Sequence, residues 1–290
     1  MTRPATADIT LEAIRRQARA RLEAAGVGES AAADVDHLLS AATGLARTHF
    51  RAYPEAPLEP AAHERFEALL RRREAGEPVA YLIGRRGFRD FDLRVAPDVL
   101  IPRPETEHLV EAALETPADS VLDLGCGSGC VALALARAWP QAAIDAVDIS
   151  PGALAIARDN ANRLAVDNID FLAGDWFAPV AGRRYDLIVA NPPYIGAAEP
   201  AANCGDLRFE PRAALVSGPT GLEALQLIIR QAPAQLRPAG RLWVEHGWTQ
   251  GAAVRTALRK AGFQAVHTRH DLAGHERISG GHWQGYTSDG

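Results

Sequence analysis

The chain has 290 residues, room for one large domain or, on ordinary domain sizes, two. Hydrophobic residues make up 47% and charged residues 23%, an ordinary globular composition, and no apolar run is long enough to span a membrane. A formal net charge of -5 disfavours a dedicated nucleic-acid binder, although a local basic groove can hide in an acidic total.

The N-terminus is Arg-rich and amphipathic, as a transit peptide is, but Asp8, Glu12 and Glu23 interrupt it and no signal-peptide core follows. An ordinary first helix is expected, capped by Thr10, with Leu11, Ile14, Ala18 and Leu22 on one face and Gly26 and Gly28 as stop signals. Ser30 is the expected cap of a second helix through Asp34 to Leu39, and Phe66, Leu69 and Leu70 mark another. Residues 1–76 therefore read as a small helical domain. From Val79 to about Pro104, "YLIGRRGFRDFDLRVAPDVLIPRPET" mixes alternating apolar residues with Gly and Pro, which predicts a β-hairpin linker or lid over 77–104. Helix returns at Thr106–Leu114.

From Ser120 strands alternate with helices. Expected strands are 120–124, 142–148, 169–172, 185–190 and 241–245, with weaker ones near 265–269 and 277–279. This alternation predicts an α/β fold, a parallel sheet with helices on both faces and ligands at the carboxyl ends of the strands. The Gly-rich tail "GGHWQGYTSDG" is expected to fray, with residues 283–290 flexible.

Four motifs sit at those strand ends. "VLDLGCGSG" runs a strand through Asp123 into Gly125, Cys126, Gly127, Ser128 and Gly129, then a helix. Glycines there permit a tight turn and close approach of a ligand to backbone N–H groups. The G-x-G-x-G spacing departs from the G-x-G-x-x-G of nicotinamide enzymes. The acid before the first glycine suits a cofactor carrying an amino acid rather than a pyrophosphate. "AAIDAVDIS" ends its strand at Asp148, about 20 residues on, where an acid accepts from ribose hydroxyls. Ser150 and Pro151 supply the start of the next helix, so Asp148 is expected to remain free for a ligand. "FLAGDWF" places Asp175 and Trp176 where an acid and an aromatic can read an adenine edge and cover its face, although Trp176 could equally be core.

The fourth motif is "DLIVANPPYIG". Pro192 and Pro193 remove two donors and fix two φ angles, and Pro192 pushes Asn191 out of the helical region. The Asn191 side-chain oxygen and the Pro192 carbonyl are two acceptors, enough to hold both hydrogens of a planar –NH2 group. Tyr194 offers a face for stacking or for a cationic methyl. Accepting both hydrogens favours a pyramidal nitrogen and aims its lone pair at an electrophile. No strong general base is needed beforehand, because the nitrogen sheds a proton as it becomes cationic. Cys126, Cys130 and Cys204 read as small buried side chains in a reducing compartment, neither a disulfide framework nor a zinc site.

These motifs in this order resemble the Rossmann-like S-adenosylmethionine-dependent methyltransferases, and Asn-Pro-Pro-Tyr resembles those acting on planar amino nitrogens. "VLIPRPETEHLV", "DWF", "NPPYI", "GDLRFEPRAALV" and "EHGWTQG" extend the likeness to the bacterial release-factor glutamine methyltransferases, the HemK/PrmC family. The resemblance covers nearly the whole chain, and the small departure is Gly-Cys-Gly-Ser-Gly where Thr or other small residues are common. It implies a seven-stranded methyltransferase domain over 105–282, following the helical domain and hairpin. It implies methyl transfer to the glutamine N5 in the Gly-Gly-Gln loop of class I release factors. S-adenosylmethionine would be the co-substrate, with no metal. Cofactor contacts would be Asp123, Gly125 to Gly129, Asp148, Asp175, Trp176 and Asn191. Asn191, Pro192, Pro193 and Tyr194 would hold the substrate amide, with Asn191, Pro192 and Tyr194 catalytic. "IPRPET" would fold over the cleft, the loop with Arg208, Phe209 and Glu210 would lie near the substrate, and the helical domain would grip the release factor. A cytoplasmic monomer is expected, with no direct nucleic-acid or membrane partner. The alternatives are a ribosomal-protein glutamine or a nucleic-acid base as acceptor. A non-catalytic scaffold and a nicotinamide oxidoreductase are disfavoured.

Overall fold

The computed structural model describes residues 10–200 and 204–285. The chain falls into two compact units, Met1–Gly84 and Arg85–Gly290.

The first unit is helical: α1 (Leu11–Ala24), α2 (Ala31–Thr43), α3 (Arg47–Ala52), α4 (Pro60–Glu74) and α5 (Val79–Ile83). The Thr10 hydroxyl caps α1 by accepting from the Ala13 N–H at 3.2 Å, and Leu11, Ile14, Ala18 and Leu22 are all buried. They meet Leu38, Leu39, Phe50, Phe66 and Leu70 in one apolar cluster, where each large side chain contributes about 1.5–3 kcal/mol. Charged ties surround it, among them the buried pair Arg73–Asp34 at 2.8 Å. Ser30 does not cap α2 as expected. A 3-10 turn over Gly28–Ser30 runs straight into the helix, so Ser30 already has helical dihedrals. Its hydroxyl reaches the Asp34 carboxylate at 3.2 Å instead. The unit also passes the expected boundary at residue 76, because Val79–Ile83 makes a further helical turn closed by Gly84 at φ +70°.

The second unit opens with a hairpin, β1 (Arg85–Phe88) and β2 (Phe91–Arg94). It is shorter than predicted, and it is core rather than linker or lid. Phe88, Phe91 and Leu93 point into the main apolar cluster. Asn160 pins it: its Oδ1 accepts from the Arg94 N–H at 2.7 Å, while its Nδ2 donates to the Arg94 and Ser128 carbonyls at 3.1 and 2.9 Å. The hairpin strand is thereby tied to the turn after the first sheet strand.

The elements that follow are α6 (Pro104–Leu114), β3 (Ser120–Leu124), α7 (Cys130–Ala138), β4 (Ala143–Asp148), α8 (Pro151–Arg163), β5 (Ile169–Ala173) and β6 (Tyr185–Ala190). After them come α9 (Arg212–Leu215), α10 (Glu223–Gln231), β7 (Leu236–Glu245), α11 (Gly251–Lys260), β8 (Gln264–His270) and β9 (Glu276–His282). The sheet order is β5-β4-β3-β6-β7-β9-β8. The first five strands run parallel, and β9 pairs antiparallel with both β7 and β8. Successive side chains point to opposite faces. Val121, Leu187 and Val189 meet α6 and α7 on one face, while Leu122, Leu124, Ile188 and Ala190 meet α10 and α11 on the other. Burial on both faces explains the almost unbroken apolar runs of β3 and β6. The chain leaves β3 towards β4 on one side and returns through β6 on the other, so the crevice at their carboxyl ends is a topological switch point.

The tail differs from expectation. Gly280–His282 complete β9, and the Trp283 N–H donates to the Gly240 carbonyl at 2.7 Å with the ring buried. Gly280 is required there because a Cβ would lie 2.3 Å from the Leu242 carbonyl oxygen and from the Trp243 ring. The tail reading over 286–290, and the start of the N-terminal reading at 1–9, lie outside the described residues. Among the described residues no helix is long and apolar enough to cross a membrane.

Candidate active site

A cavity of about 430 Å³ opens at the carboxyl ends of β3, β4, β5 and β6. Each predicted strand-end motif contributes to its wall: Asp123, Gly125, Cys126, Gly127 and Ser128, then Asp148, then Asp175 and Trp176, then Asn191 and Pro193. Gly129 does not line it. Gly129 caps α7 at φ +83°, and its Cα side faces Leu133 and Ala157, where a Cβ would come within 3.2 and 3.3 Å. Its role in the fold is the close packing of α7 on α8.

The glycine N–H groups of the turn, expected to be open to a ligand, are bonded within the fold. The Gly125 and Cys126 N–H groups both donate to the Val147 carbonyl at 2.8 and 3.0 Å, and Gly129 donates to Cys126. The Gly127 N–H donates to Asp148 Oδ2 at 2.8 Å. Asp148 is therefore not free either, since its Oδ1 accepts from the Ser150 N–H at 2.8 Å. A carboxylate has about four lone-pair positions, so both oxygens can still accept from a ligand. These bonds hold the acid rigidly at the cavity edge, while Ser150 caps α8 as expected. Trp176 sits at φ +44°, a backbone region costly for a bulky side chain. Its ring lies 3.5 Å from where a Gly125 Cβ would be.

Charge selects what the cavity can hold. Among the described residues its lining includes Asp98, Asp123, Asp148 and Asp175 and no Lys, Arg or His. Such a wall repels a pyrophosphate and attracts a cation. Burial raises the Asp123 carboxyl to about 7, with Asp148 nearby pushing the same way and one hydrogen bond from the Ala132 N–H opposing. Burial also pushes the Cys130 thiol up to about 12 and the Cys126 thiol well above its ordinary value, so neither is a nucleophile. Cys204 is exposed, unlike the buried cysteine that was expected. Among the described residues no group of His, Cys, Asp or Glu could hold a metal ion.

A second cavity, of about 460 Å³, lies on the other side of Asn191 and includes Tyr194, Arg103, Glu105, Asp206, Trp248 and Arg277. Asn191, Leu100 and Ala214 belong to both walls. Pro192 is buried and lines neither. The Ile101–Thr106 segment reaches the cleft through Pro102, Thr106 and Arg103. Buried Glu210 ties it to the following loop, accepting from the Ile101 N–H at 2.9 Å and from the Arg103 guanidinium. In that loop Asp206 and Leu207 reach the second cavity. Arg208 instead lies over the Phe209 ring at 5.0 Å, and neither lines it.

Sequence reasoning missed three contributors. Ile149 is 67% exposed at the mouth of the first cavity; an apolar residue directly after a strand-end acid was its only signal. Gln250 donates through Nε2 to the Tyr194 carbonyl at 3.0 Å and fixes the Pro-Pro-Tyr loop. Glu245 ends β7 at 1% exposure, with Thr106 donating to its Oε2 at 2.8 Å and Tyr194 OH to its Oε1 at 3.4 Å. Burial raises Glu245 to about 7, against the Thr106 hydrogen bond.

Comparison with known proteins agrees with this geometry. The Methyltransferase small domain family matches residues 104–206, and the PrmC N-terminal domain family matches residues 13–84. A release factor glutamine methyltransferase of Vibrio cholerae is 43% identical over 95% of this chain and 98% of its own. One of Pseudomonas aeruginosa is 49% identical over 88% and 93%. A methyltransferase of Pyrococcus furiosus shares the fold, with a TM-score of 0.53 at 16% identity over 76% of this chain and 98% of that one. With this fold, this acid-lined cavity and relatives this similar over nearly their whole length, the chain belongs to the release factor glutamine methyltransferase family.

Proposed function

We propose that the chain transfers a methyl group from S-adenosylmethionine to the N5 amide nitrogen of the glutamine in the Gly-Gly-Gln loop of class I peptide release factors. The observation that carries this reading is the meeting of two cavities at Asn191. A transfer between two bound molecules needs two sites that share one wall. The co-substrate carries a sulfonium methyl and an ammonium, and the four acids of the first cavity fit that charge where they would reject a dinucleotide. Asp123 would take the ammonium, Asp148 the ribose hydroxyls, and Asp175 with Trp176 the adenine.

On the other side, Asn191 Oδ1 and the Pro192 carbonyl would accept the two amide hydrogens, and Tyr194 would stack on the amide plane. Holding the nitrogen in line supplies much of the barrier reduction, since effective molarities are worth roughly 7–11 kcal/mol. The second cavity, with Arg103, Arg277 and the exposed Trp248, would receive the Gly-Gly-Gln loop. The helical unit would recognise the body of the release factor, which is part of the cytoplasmic translation machinery, and the enzyme would act as a monomer without touching nucleic acid.

The test is transfer of label from S-adenosylmethionine to a purified class I release factor and to its Gly-Gly-Ala variant. Ribosomal protein and duplex DNA run in parallel. Label on the Gln form alone is expected. Label on DNA or ribosomal protein in its place would keep the chemistry and overturn the partner.

A further inference from the structure

The Asn191 side chain must present its oxygen, not its nitrogen, if it is to accept from a substrate –NH2. An amide is nearly symmetric in shape, so packing alone cannot choose between the two orientations. Hydrogen-bond polarity can. Asn191 Nδ2 lies 3.0 Å from Thr106 Oγ1, and that hydroxyl lies 2.8 Å from Glu245 Oε2. Both Thr106 and Glu245 are 1% exposed, so no solvent competes for the bond between them, while Asn191 is half-buried between the two cavities. Burial raises Glu245 to about 7, so above that pH its carboxylate is ionised and acceptor-only. The Thr106 hydrogen must therefore point at Glu245. What Thr106 turns towards Asn191 is a lone pair, and only an N–H can meet it. The Asn191 oxygen is then left for the cleft. Tyr194, donating to the other Glu245 oxygen at 3.4 Å, orients the same carboxylate from the substrate side.

We propose that Thr106 and Glu245 are positioning residues that set the orientation of the Asn191 amide and so make it an acceptor for the substrate nitrogen. The inference rests on the reading of Asn191 given above. It adds that a hydroxyl from α6, itself on the wall of the first cavity, and a carboxylate from the end of β7, 85 and 139 residues apart along the chain from their partners, act on the reaction by aiming the Asn191 amide.

The experiment is a double-mutant cycle with full-length enzyme and intact release factor. It measures kcat, KM for the factor and the dissociation constant of S-adenosylmethionine. Thr106→Val keeps the shape and removes the hydroxyl. It should lower kcat about 10–100-fold, the range seen when a partner that orients a ligating residue is lost. KM and cofactor affinity should stay within about threefold. Thr106→Ser should restore most of kcat. In the Asn191→Ala background Thr106→Val should cost nothing further, because there is no amide left to orient. Additive losses would mean that Thr106 acts through the fold and would overturn the proposal, as would a Thr106→Val enzyme with wild-type kcat. Should Thr106→Val fail to bind cofactor, Glu245→Gln carries the same cycle: it is expected to lower kcat non-additively with Asn191→Ala, and additivity again overturns the proposal. Near-full activity of Asn191→Ala alone would instead sink the underlying reading of the site, which keeps the two failures distinct.

Discussion

Along the cofactor cavity, every acid lies at or within two residues of the carboxyl end of a strand, or in the segment just before α6; at the amide receptor, Thr106, Asn191 and Glu245 come from three distant segments. The first wall is local. A strand ends, a turn follows, and the turn satisfies its own N–H groups with the neighbouring strand. The second wall is assembled by tertiary packing through two hydrogen bonds in series, one buried and one part-buried. Binding and turnover should therefore fail separately, since the residues that attract the cation and those that aim the amide share little.

Asn191→Ala probes the shared wall and should have the largest effect. We expect kcat to fall about 10²–10³-fold, the loss typical of one aligned hydrogen-bonding group. Cofactor affinity by calorimetry should change little. A comparable loss of cofactor binding would erase the distinction between the walls.

Removing the helical unit, residues 1–84, tests a surface outside both cavities. KM for the release factor should rise by roughly 10²-fold, as when one of two linked contact surfaces is lost. Cofactor binding should persist, because the second unit has its own core. Parallel loss of both would show that the helical unit supports the fold.

Asp123→Asn should act on the other wall alone, weakening S-adenosylmethionine by about 10–100-fold, the worth of a charged hydrogen bond. At saturating cofactor, kcat should stay near wild type.

A separate effect is on stability against pH. Burial raises both Asp123 and Glu245 to about 7 in the fold, while unfolded carboxyls titrate near 4. Between those values the native chain keeps protons that the unfolded chain has lost. Stability without cofactor should therefore fall as pH rises from about 4.5 to 7, and level off above. Denaturant midpoints at pH 5 and 7.5 check this. A wild-type fall that is as steep in Asp123→Asn would assign the effect elsewhere.

The legibility of the molecule follows the same divide. Gly-Cys-Gly-Ser-Gly, Asp148, Asp175-Trp176 and Asn-Pro-Pro-Tyr were readable because each sits where an apolar run stops, and strand ends in an alternating α/β chain converge on one crevice. The same local logic misjudged hydrogen-bond partners. Asp148 looked free and is doubly bonded, and the glycine N–H groups looked available and are used. It also misjudged the hairpin and the tail, where Phe88, Leu93 and Trp283 are core because distant helices and strands cover them.

By itself the sequence determined the α/β class, the strand ends and the chemical types placed at them, because hydrophobic periodicity and turn chemistry act over a few residues. Only the tertiary structure decided which of those groups are spent on the fold and which face the cleft. It also showed that Thr106 and Glu245 stand behind Asn191. A hydrogen bond needs its partners within about 3 Å, and nothing in a linear chain says that residues 85 and 139 positions apart will meet.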